Sequence, residues 1–362
     1  MNVNVKEAEF ESDIEGALLS GGPDAIESDF LAREDPAAYG AWIPGGYRHR
    51  LDTDFDKTTL LLAKDTLDFV VTTQPEQWER LSDHHGGDVK TKFLKRVSSE
   101  IEKHGLLHVL REGVKDSGCK FHLAFYPPAS GLNAETAKLH QANVFSVVRQ
   151  LHYSERNKNS IDVVLFLNGL PIFTAELKNQ LNAQNVQDAI KQYRIDRDPH
   201  EPLLRSGRVL AHFAVDTEYA YFTTELTGSK TEFRPFNQGH NGGAGNPPVP
   251  PTQNGYPTSY LWEYAWSRDS VLDLVLNFVA ALDVEDDKGR PTGKKKLVFP
   301  RFHQLKAVRD LIDDARDKGA GEHYLIQHSA GSGKSNTIAW LAHRLTTLHD
   351  AQDNRVFDTV VV

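Results

Sequence analysis

The feature that most constrains the fold is a pair of apolar segments, 161–167 and 172–178, with Asn168-Gly169 between them. Asn-Gly between two such segments is a strong signal for a tight β-hairpin, because both residues tolerate the positive φ angles of the turn. The two segments are therefore predicted to be neighbouring antiparallel strands. Their almost wholly apolar composition indicates that they lie inside a sheet that is covered on both faces.

Three polar residues in this hairpin form a pattern that suits a metal-dependent phosphodiesterase. Asp162 lies at the start of the first strand, and Glu176 and Lys178 lie near the end of the second. Glu176 and Lys178 are two residues apart and therefore face the same side of the sheet. Two carboxylates can hold Mg²⁺, the ion lowers the pKa of a bound water, and a lysine stabilises charge on the phosphate. We predict Asp162 and Glu176 as metal ligands and Lys178 as a catalytic residue.

The register of the hairpin decides whether the two carboxylates can share an ion. A strict two-residue turn pairs 167 with 170, and Asp162 then lies opposite Ala175 and on the other face from Glu176. A shared ion requires a three-residue loop or a β-bulge, and Pro171, which has no N–H to donate, favours such a disturbed register. The alternative is an ordinary hairpin with exposed acids at its ends.

The segment 185–197 is predicted to be a helix that ends at Asp198-Pro199. It places Gln192 and Tyr193 next to the hairpin, and both are candidate site residues. It also carries a basic cluster suited to phosphate contacts, or else simply a solvated face, formed by Lys191, Arg194 and Arg197.

A further acid is available from the predicted amphipathic helix 7–19. Glu11 and Glu15 are four residues apart and share a face. Either one is a candidate for an additional catalytic acid, and a plain surface charge is the alternative.

A second motif, 328–335, reads His-Ser-Ala-Gly-Ser-Gly-Lys-Ser and lies between a predicted strand, 324–327, and a predicted helix, 334–349. This is the context of a phosphate-binding loop, in which backbone N–H groups surround the phosphates at a helix N-terminus. His328 replaces the first glycine of the strict pattern, which argues against kinases and small GTPases. The predicted ATP-binding residues are Gly331, Ser332, Gly333, Lys334 and Ser335, with Ser335 also a Mg²⁺ ligand.

Gln304 lies 30 residues before Lys334, at the start of a predicted helix, 303–317. Its amide has a donor and an acceptor that could read the adenine edge of ATP, and Phe302 could stack on the ring. The alternative is an ordinary helix start.

The rest of the chain alternates strands and helices, which predicts an α/β fold with a mixed central sheet. Residues 237–258 are rich in Gly, Pro, Asn and Gln and mark a linker. We therefore predict one domain at 1–236, a linker at 237–260 and a second domain at 261–362. Further predicted elements are strands at 119–126, 144–152, 209–215, 219–223 and 355–362, helices at 88–104 and 268–281, and a charged loop at 283–296.

Composition narrows the class of protein. The net charge of −9 excludes a protein coated in basic surface, so any DNA contact must use a local patch or another subunit. The single cysteine cannot form an internal disulfide, which fits a cytoplasmic location. The sequence has no apolar segment approaching the length of a membrane span, and the N-terminus lacks the apolar core of a signal peptide.

Taken in order, these motifs resemble the R (restriction and motor) subunit of type I restriction–modification enzymes. The resemblance rests on the hairpin 161–179, on 188–193, and on the short motifs Phe236-Asn-Gln-Gly, Trp266-Ser-Arg-Asp-Ser and Phe302-His-Gln, followed by the phosphate loop. It covers about 140–362 well and the first 130 residues loosely.

The resemblance implies a PD-(D/E)xK restriction-endonuclease-like domain followed by the start of a RecA-like motor domain of the superfamily 2 helicase type. It implies cleavage of double-stranded DNA with Mg²⁺, coupled to ATP-driven translocation in a complex with methyltransferase (M) and specificity (S) subunits. It also assigns Gln192, together with Tyr193, to a helix motif that accompanies the nuclease. Two alternatives stay open: a helicase-associated repair nuclease outside the type I system, and a non-catalytic interaction fragment.

The last segment, 355–362, is β-branched and apolar, as expected of a buried strand. We therefore expect these 362 residues to be part of a longer protein. The remaining motor motifs would then lie beyond Val362, and these residues alone should not hydrolyse ATP or translocate DNA.

Overall fold

The computed structural model describes residues 3–25, 42–128, 133–180, 184–286, 288–350 and 352–362. In chain order the strands are β1 (Arg48–Arg50), β2 (Phe55–Asp56), β3 (Leu61–Leu62), β4 (Val114–Asp116), β5 (Cys119–Phe121), β6 (Phe145–His152), β7 (Ser160–Leu167), β8 (Leu170–Leu177), β9 (Ala211–Val215), β10 (Ala220–Thr223), β11 (Arg234–Pro235), β12 (Ala280–Glu285) and β13 (Pro291–Val298).

The α-helices are α1 (Val3–Leu19), α2 (Ala63–Thr73), α3 (Pro75–His85), α4 (Val89–His104), α5 (Leu106–Glu112), α6 (Ala134–Gln141), α7 (Val186–Lys191), α8 (Arg268–Asp273), α9 (Phe302–Lys318) and α10 (Lys334–Leu345). Wider π-helical segments continue α7 (Gln192–Asp196) and α8 (Leu274–Phe278), and a third precedes α8 (Leu261–Ala265). Among the described residues, no helix has the length and apolar character needed to cross a membrane.

A seven-stranded sheet forms the centre, with strand order β1-β6-β7-β8-β9-β10-β11. The pairs β1–β6 and β8–β9 are parallel, and the other neighbours in this sheet are antiparallel. The predicted α/β fold with a mixed central sheet is therefore confirmed. The middle strand β8 is buried along its whole length, which explains its lack of apolar–polar alternation.

The Asn168-Gly169 turn joins β7 to β8 as predicted. Both residues have positive φ angles, 52° and 80°, and Leu167 pairs with Leu170 across the turn. The Asn168 side chain is fully buried and accepts a hydrogen bond of 2.6 Å from Val144 N. The turn is a two-residue hairpin loop. Its Asn168 side chain also binds the residue that directly precedes β6.

The helical spacing of apolar residues predicted α1 correctly. Phe10, Ile14 and Leu18 are fully buried at four-residue spacing, and the helix covers the predicted 7–19 and begins earlier. The predicted strands at 144–152, 161–167, 172–178, 209–215 and 219–223 and the helices at 88–104 and 303–317 also correspond to observed elements, within two residues at nearly every boundary.

Three sequence predictions are wrong in the second half of the chain, and a fourth is correct except at its end. The helix predicted at 268–281 forms but ends at Phe278, whereas the charged loop predicted at 283–296 is the hairpin β12–β13. That hairpin is largely exposed, so it lacks the apolar alternation that would reveal it. The segments 324–327 and 355–362 form no strand, because no other strand of the described chain pairs with either of them.

The predicted linker contains no helix or strand between 237 and 259. Side chains after it pack into the same hydrophobic cluster as side chains before it. Trp266 lies 5.3 Å from Phe213 between ring centroids, and Phe302 lies 5.7 Å from Phe236. The two parts of the chain thus share apolar contacts beside β9 and β10.

Candidate active site

The register of β7 and β8 changes by one residue close to the turn. Phe166 pairs with Pro171, but Leu165 pairs with Phe173, so Ile172 is the extra residue of a β-bulge. The predicted disturbance of the hairpin register is confirmed. The changed register continues to the pair Val163–Ala175, and its next step sets Asp162 opposite Glu176.

The two carboxylates consequently lie on the same face of the sheet. Val164 and Phe166 of β7 pack into one hydrophobic cluster and Val163 and Leu165 into the other, so Asp162 shares a face with Val164. On β8 the bulge puts the consecutive residues Ile172 and Phe173 in one cluster, and Thr174 and Glu176 then face the side of Asp162. Simple alternation predicts that Ile172 shares the face of Glu176. The bulge places Ile172 on the opposite face instead.

Asp162 is held by two neighbours. Its Oδ2 accepts a hydrogen bond of 2.7 Å from Leu177 N, and its Oδ1 accepts one of 3.2 Å from Gln150 Nε2. Gln150 lies opposite Asp162 in the β6–β7 register and has a φ of 49°, in the left-handed region that non-glycine residues seldom adopt in a strand. Backbone strain of this kind is concentrated at functional sites.

Gln150 also connects the sheet to α1. Its Nε2 donates to Glu11 Oε1 at 2.7 Å, and Arg149 Nη2 donates to Glu11 Oε2 at 3.2 Å. Burial, together with the negative charge of Asp162, raises the pKa of Glu11 to about 7, and the charge of Arg149 opposes this shift. Of the two candidate acids on α1, Glu11 is the one whose hydrogen bonds lead to Asp162, because Glu15 bonds to Arg149 and to His49.

Glu176 is fully buried, and Arg197 is a charged hydrogen-bond partner of its carboxylate. Arg197 Nε donates to the Oε1 of Glu176 at 2.6 Å, whereas Oε2 is buried and has no hydrogen bond to any residue that the structure describes. Burial and the nearby charge of Asp162 raise the pKa of Glu176 well above its ordinary value, and the charges of Arg197 and Lys178 oppose that shift. Lys178 is buried at the end of β8, where its backbone N donates to Val215 O at 2.9 Å.

The helix after the hairpin supplies two further residues. Tyr193 is fully buried and its hydroxyl lies 2.7 Å from Thr174 Oγ1, two residues before Glu176 on the same strand. Gln192 is half-buried, and its backbone oxygen accepts a hydrogen bond of 3.1 Å from Arg197 N. The helix thus packs beside the carboxylates, as the sequence predicts.

The basic cluster predicted on this helix does not form as a unit. Arg197 is turned inward to Glu176, Arg194 Nε donates to Thr231 O at 2.9 Å, and Lys191 is exposed. The prediction failed because the π-helical turn shifts the positions that face the sheet. Sequence reasoning also missed the roles of Arg149 and Gln150, which look like ordinary polar strand residues and carry no motif.

The donor set fits Mg²⁺, which binds oxygen ligands and often takes only one or two carboxylates with water completing the shell. Glu176 Oε2 is a buried carboxylate oxygen without a hydrogen bond in the described part of the chain, and a cation is the natural partner for such an atom. Within the described ranges no group of three or more His, Cys, Asp or Glu side chains is arranged to hold a metal ion. The ion would therefore depend on Asp162 and Glu176.

The phosphate-loop residues lie around the N-terminus of α10. Gly331 and Gly333 have positive φ angles of 72° and 84°, and Lys334 Nζ donates to His328 O at 3.2 Å. Lys334 and Ser335 are exposed, and Ser332 is buried. The predicted helix begins at Lys334 as expected and ends at Leu345, but the strand expected before the loop does not form.

Gln304 lies directly against this loop. Its Nε2 donates to Gly333 O at 2.9 Å and its Oε1 accepts from Arg301 N at 2.9 Å. A Cβ atom added to Gly333 would lie 2.5 Å from Gln304 Nε2, so the two residues fit closely together. The structure therefore brings Gln304 and the predicted phosphate-binding residues to one end of α10. Phe302 is buried against Phe236 and Tyr260, so the prediction that it stacks on the adenine is wrong.

Residues 65–231 match the family model described as "Type I restriction enzyme R protein N terminus". Residues 65–231 thus correspond to the N-terminal region of type I restriction enzyme R proteins. This family region includes Asp162, Glu176 and Lys178. Gln304 and the phosphate loop lie outside it.

A curated protein from Methanocaldococcus jannaschii, whose name describes it as the endonuclease subunit of a type I restriction enzyme, MjaVIIIP, is similar over 303 residues at 22% identity. The similarity covers 80% of this chain and 27% of the relative. The chain thus spans about a quarter of the length of the relative it matches.

Proposed function

We propose that this R protein region is a Mg²⁺-dependent endonuclease that cleaves double-stranded DNA, with Asp162, Glu176 and Lys178 at its active site. The observation that carries the proposal is the β-bulge in β8, which brings Asp162 and Glu176 onto one face beside Lys178. Without the bulge the two carboxylates would face opposite sides of the sheet. A plain structural hairpin would have no need of buried acids at this point.

Each residue would have a separate task. Asp162 and Glu176 would hold Mg²⁺, which supplies a water of lowered pKa and neutralises phosphate charge when it is bound. Lys178 would stabilise the charge that develops on the scissile phosphate. Tyr193 and Gln192 would support the site from the adjacent helix, Tyr193 through Thr174. The fold would then be a PD-(D/E)xK nuclease domain over about 1–236.

The second proposed site is the phosphate loop, whose residues suit the binding of ATP. Gly331, Gly333 and the start of α10 present backbone N–H groups to an anion, and Lys334 and Ser335 are exposed there for phosphate and Mg²⁺. We infer that 261–362 begins a RecA-like motor domain, joined to the nuclease by 237–260. In the complete enzyme, with M and S subunits, this motor would translocate DNA. A helicase-associated repair nuclease is the rival, and binding of M and S subunits would distinguish it.

The test measures DNA cleavage and ATP-driven DNA translocation separately. Asp162→Asn, Glu176→Gln and Lys178→Gln should each reduce Mg²⁺-dependent cleavage of unmethylated plasmid DNA by at least about 100-fold, the usual cost of removing one preorganised charge contact. ATP-driven translocation by the assembled complex should stay at the wild-type rate, because the phosphate loop is a different site. Undiminished cleavage by a folded Asp162→Asn enzyme would contradict the proposal. Loss of translocation in a folded Lys178→Gln enzyme would do the same.

A further inference from the structure

Arg197 connects the two strands that carry the carboxylates. Its Nε donates to Glu176 Oε1 at 2.6 Å, and its Nη2 donates to Ser160 O, also at 2.6 Å. Glu176 belongs to β8, and Ser160 lies in β7 two residues before Asp162. One guanidinium group therefore holds both strands at the site, and its side chain is buried.

This connection lies where the regular strand pairing ends. The last backbone pair between β7 and β8 is Val163–Ala175, and beyond it side chains maintain the contact. Asp162 Oδ2 accepts from Leu177 N, and Arg197 bridges Ser160 and Glu176. The relative position of the two carboxylates thus depends on side-chain hydrogen bonds more than on the sheet ladder.

The two carboxylate oxygens of Glu176 differ in their hydrogen bonding. Arg197 bonds to Oε1, whereas Oε2 is buried and accepts no hydrogen bond from the residues in the described ranges. A residue that only neutralised Glu176 could bond to either oxygen or to both. A residue that fixes the carboxylate for another partner would hold one oxygen and leave the second available, which is what the structure has.

We propose that Arg197 is the positioning residue for Glu176: it fixes Oε1 and the β7–β8 spacing so that Oε2 can bind the divalent ion together with Asp162. This inference rests on the proposed nuclease function. Arginine suits the task because its planar fork has separate donors for the carboxylate and for the carbonyl of Ser160. A lysine ammonium has three donors, but all of them are on one nitrogen and lack this planar fork, so it fits the two separate acceptors less well.

Mn²⁺ binding to the 362-residue chain provides a readout that does not depend on DNA cleavage. Mn²⁺ can replace Mg²⁺ at carboxylate sites, and its bound fraction can be followed by electron paramagnetic resonance. Hydrogen-bond partners of metal ligands typically contribute 10- to 100-fold to metal affinity. We expect Arg197→Gln to weaken Mn²⁺ binding by at least about tenfold. Arg197→Lys should bind more tightly than Arg197→Gln and more weakly than wild type.

Arg194→Gln is the matched control. Arg194 lies in the π-helical segment that directly precedes Arg197 and also donates to a backbone oxygen, that of Thr231, rather than to Glu176. Its Mn²⁺ affinity should equal that of wild type. Circular dichroism checks that each variant is folded. Arg197→Lys retains the positive charge beside Glu176, so it keeps the test decisive if Arg197→Gln does not fold.

Three results would overturn the inference. Wild-type affinity in a folded Arg197→Lys or Arg197→Gln protein would show that Arg197 is only structural. Tighter binding would show that it competes with the ion. An equal loss in Arg194→Gln would show a general effect of the helix.

Asp162→Asn distinguishes this inference from the proposed function on which it rests. If wild type binds Mn²⁺ no better than Asp162→Asn does, the metal site itself is wrong, and the role of Arg197 falls with it. If wild type binds Mn²⁺, Asp162→Asn does not, and the Arg197 variants match wild type, the nuclease proposal stands and only the positioning role is wrong.

Discussion

Asp162 Oδ2 accepts a hydrogen bond of 2.7 Å from the backbone N of Leu177, the residue between Glu176 and Lys178. This bond replaces the strand pairing that would otherwise continue from Val163 and Ala175. Asp162 therefore has a structural task as well as the proposed metal-binding one, and the two can be separated by substitution.

Asp162→Ala should lower the free energy of unfolding by about 1–3 kcal/mol, because a buried N–H loses its acceptor. Asp162→Asn should lower it by less, since the amide oxygen can still accept from Leu177. Both variants should lose Mn²⁺ binding. Urea denaturation and metal titration of the same samples check this, and Mn²⁺ binding retained by Asp162→Ala would contradict it.

The buried side chain of His212 should make the free energy of unfolding fall as the pH is lowered. Its side chain is buried on β9, its Nδ1 lies 2.8 Å from Thr174 Oγ1, and burial lowers its pKa from 6.5 to about 3. The folded protein keeps the imidazole neutral, whereas the unfolded chain protonates it below pH 6.5. The unfolded state therefore binds more protons between pH 6.5 and 3, and stability falls as the pH is lowered through this range.

Between pH 6.5 and 5, this linkage should remove about 1.5 kcal/mol from the free energy of unfolding. His212→Asn, whose amide can still bond to Thr174, should lack this part of the pH dependence. His200→Gln, at an exposed position, should retain it. Urea denaturation at several pH values measures the difference, and parallel curves for wild type and His212→Asn would rule out the neutral buried imidazole.

The central sheet and the hairpin could be predicted from the sequence because local rules decide them. Asn168-Gly169 dictates the turn, and the apolar segments on either side dictate buried strands. Pro171 even indicated that the register would be disturbed, and this decided whether Asp162 and Glu176 share a face.

Contacts that depend on tertiary geometry could not be predicted. Arg197 looks like part of a basic helix face, but a π-helical turn directs it to Glu176. Gln150 has no motif, and its role depends on a left-handed backbone conformation that sequence does not reveal. The predicted strand 324–327 has strand composition, but a strand also requires a neighbour to pair with, and composition cannot supply that.

Asp273 should be a major contributor to stability between α8, α9 and α10. Its carboxylate accepts from Arg309 Nε at 2.9 Å and from Arg344 Nη1 at 2.7 Å, and Arg309 is almost fully buried. Asp273→Ala would leave these arginines without their carboxylate, so we expect a loss of about 3–5 kcal/mol in unfolding free energy. Asp310→Ala removes an exposed pair with Lys306 and should cost at most about 1 kcal/mol. Equal losses in guanidinium denaturation would contradict this account.

Lys334 should contribute directly to the affinity of the phosphate loop for Mg²⁺-ATP. Its Nζ donates to His328 O and Ser329 O at 3.2 and 3.3 Å, and phosphate oxygens would be stronger, charge-assisted acceptors. Lys334→Ala should weaken Mg²⁺-ATP binding by about tenfold or more, the equivalent of one hydrogen bond to a charged group. Lys306→Ala is the control, because Lys306 is an exposed lysine of α9 that pairs with Asp310 and lies outside the loop. Calorimetric titration measures both, and an affinity of Lys334→Ala within about twofold of wild type, well below the expected effect, would exclude this loop as the phosphate site.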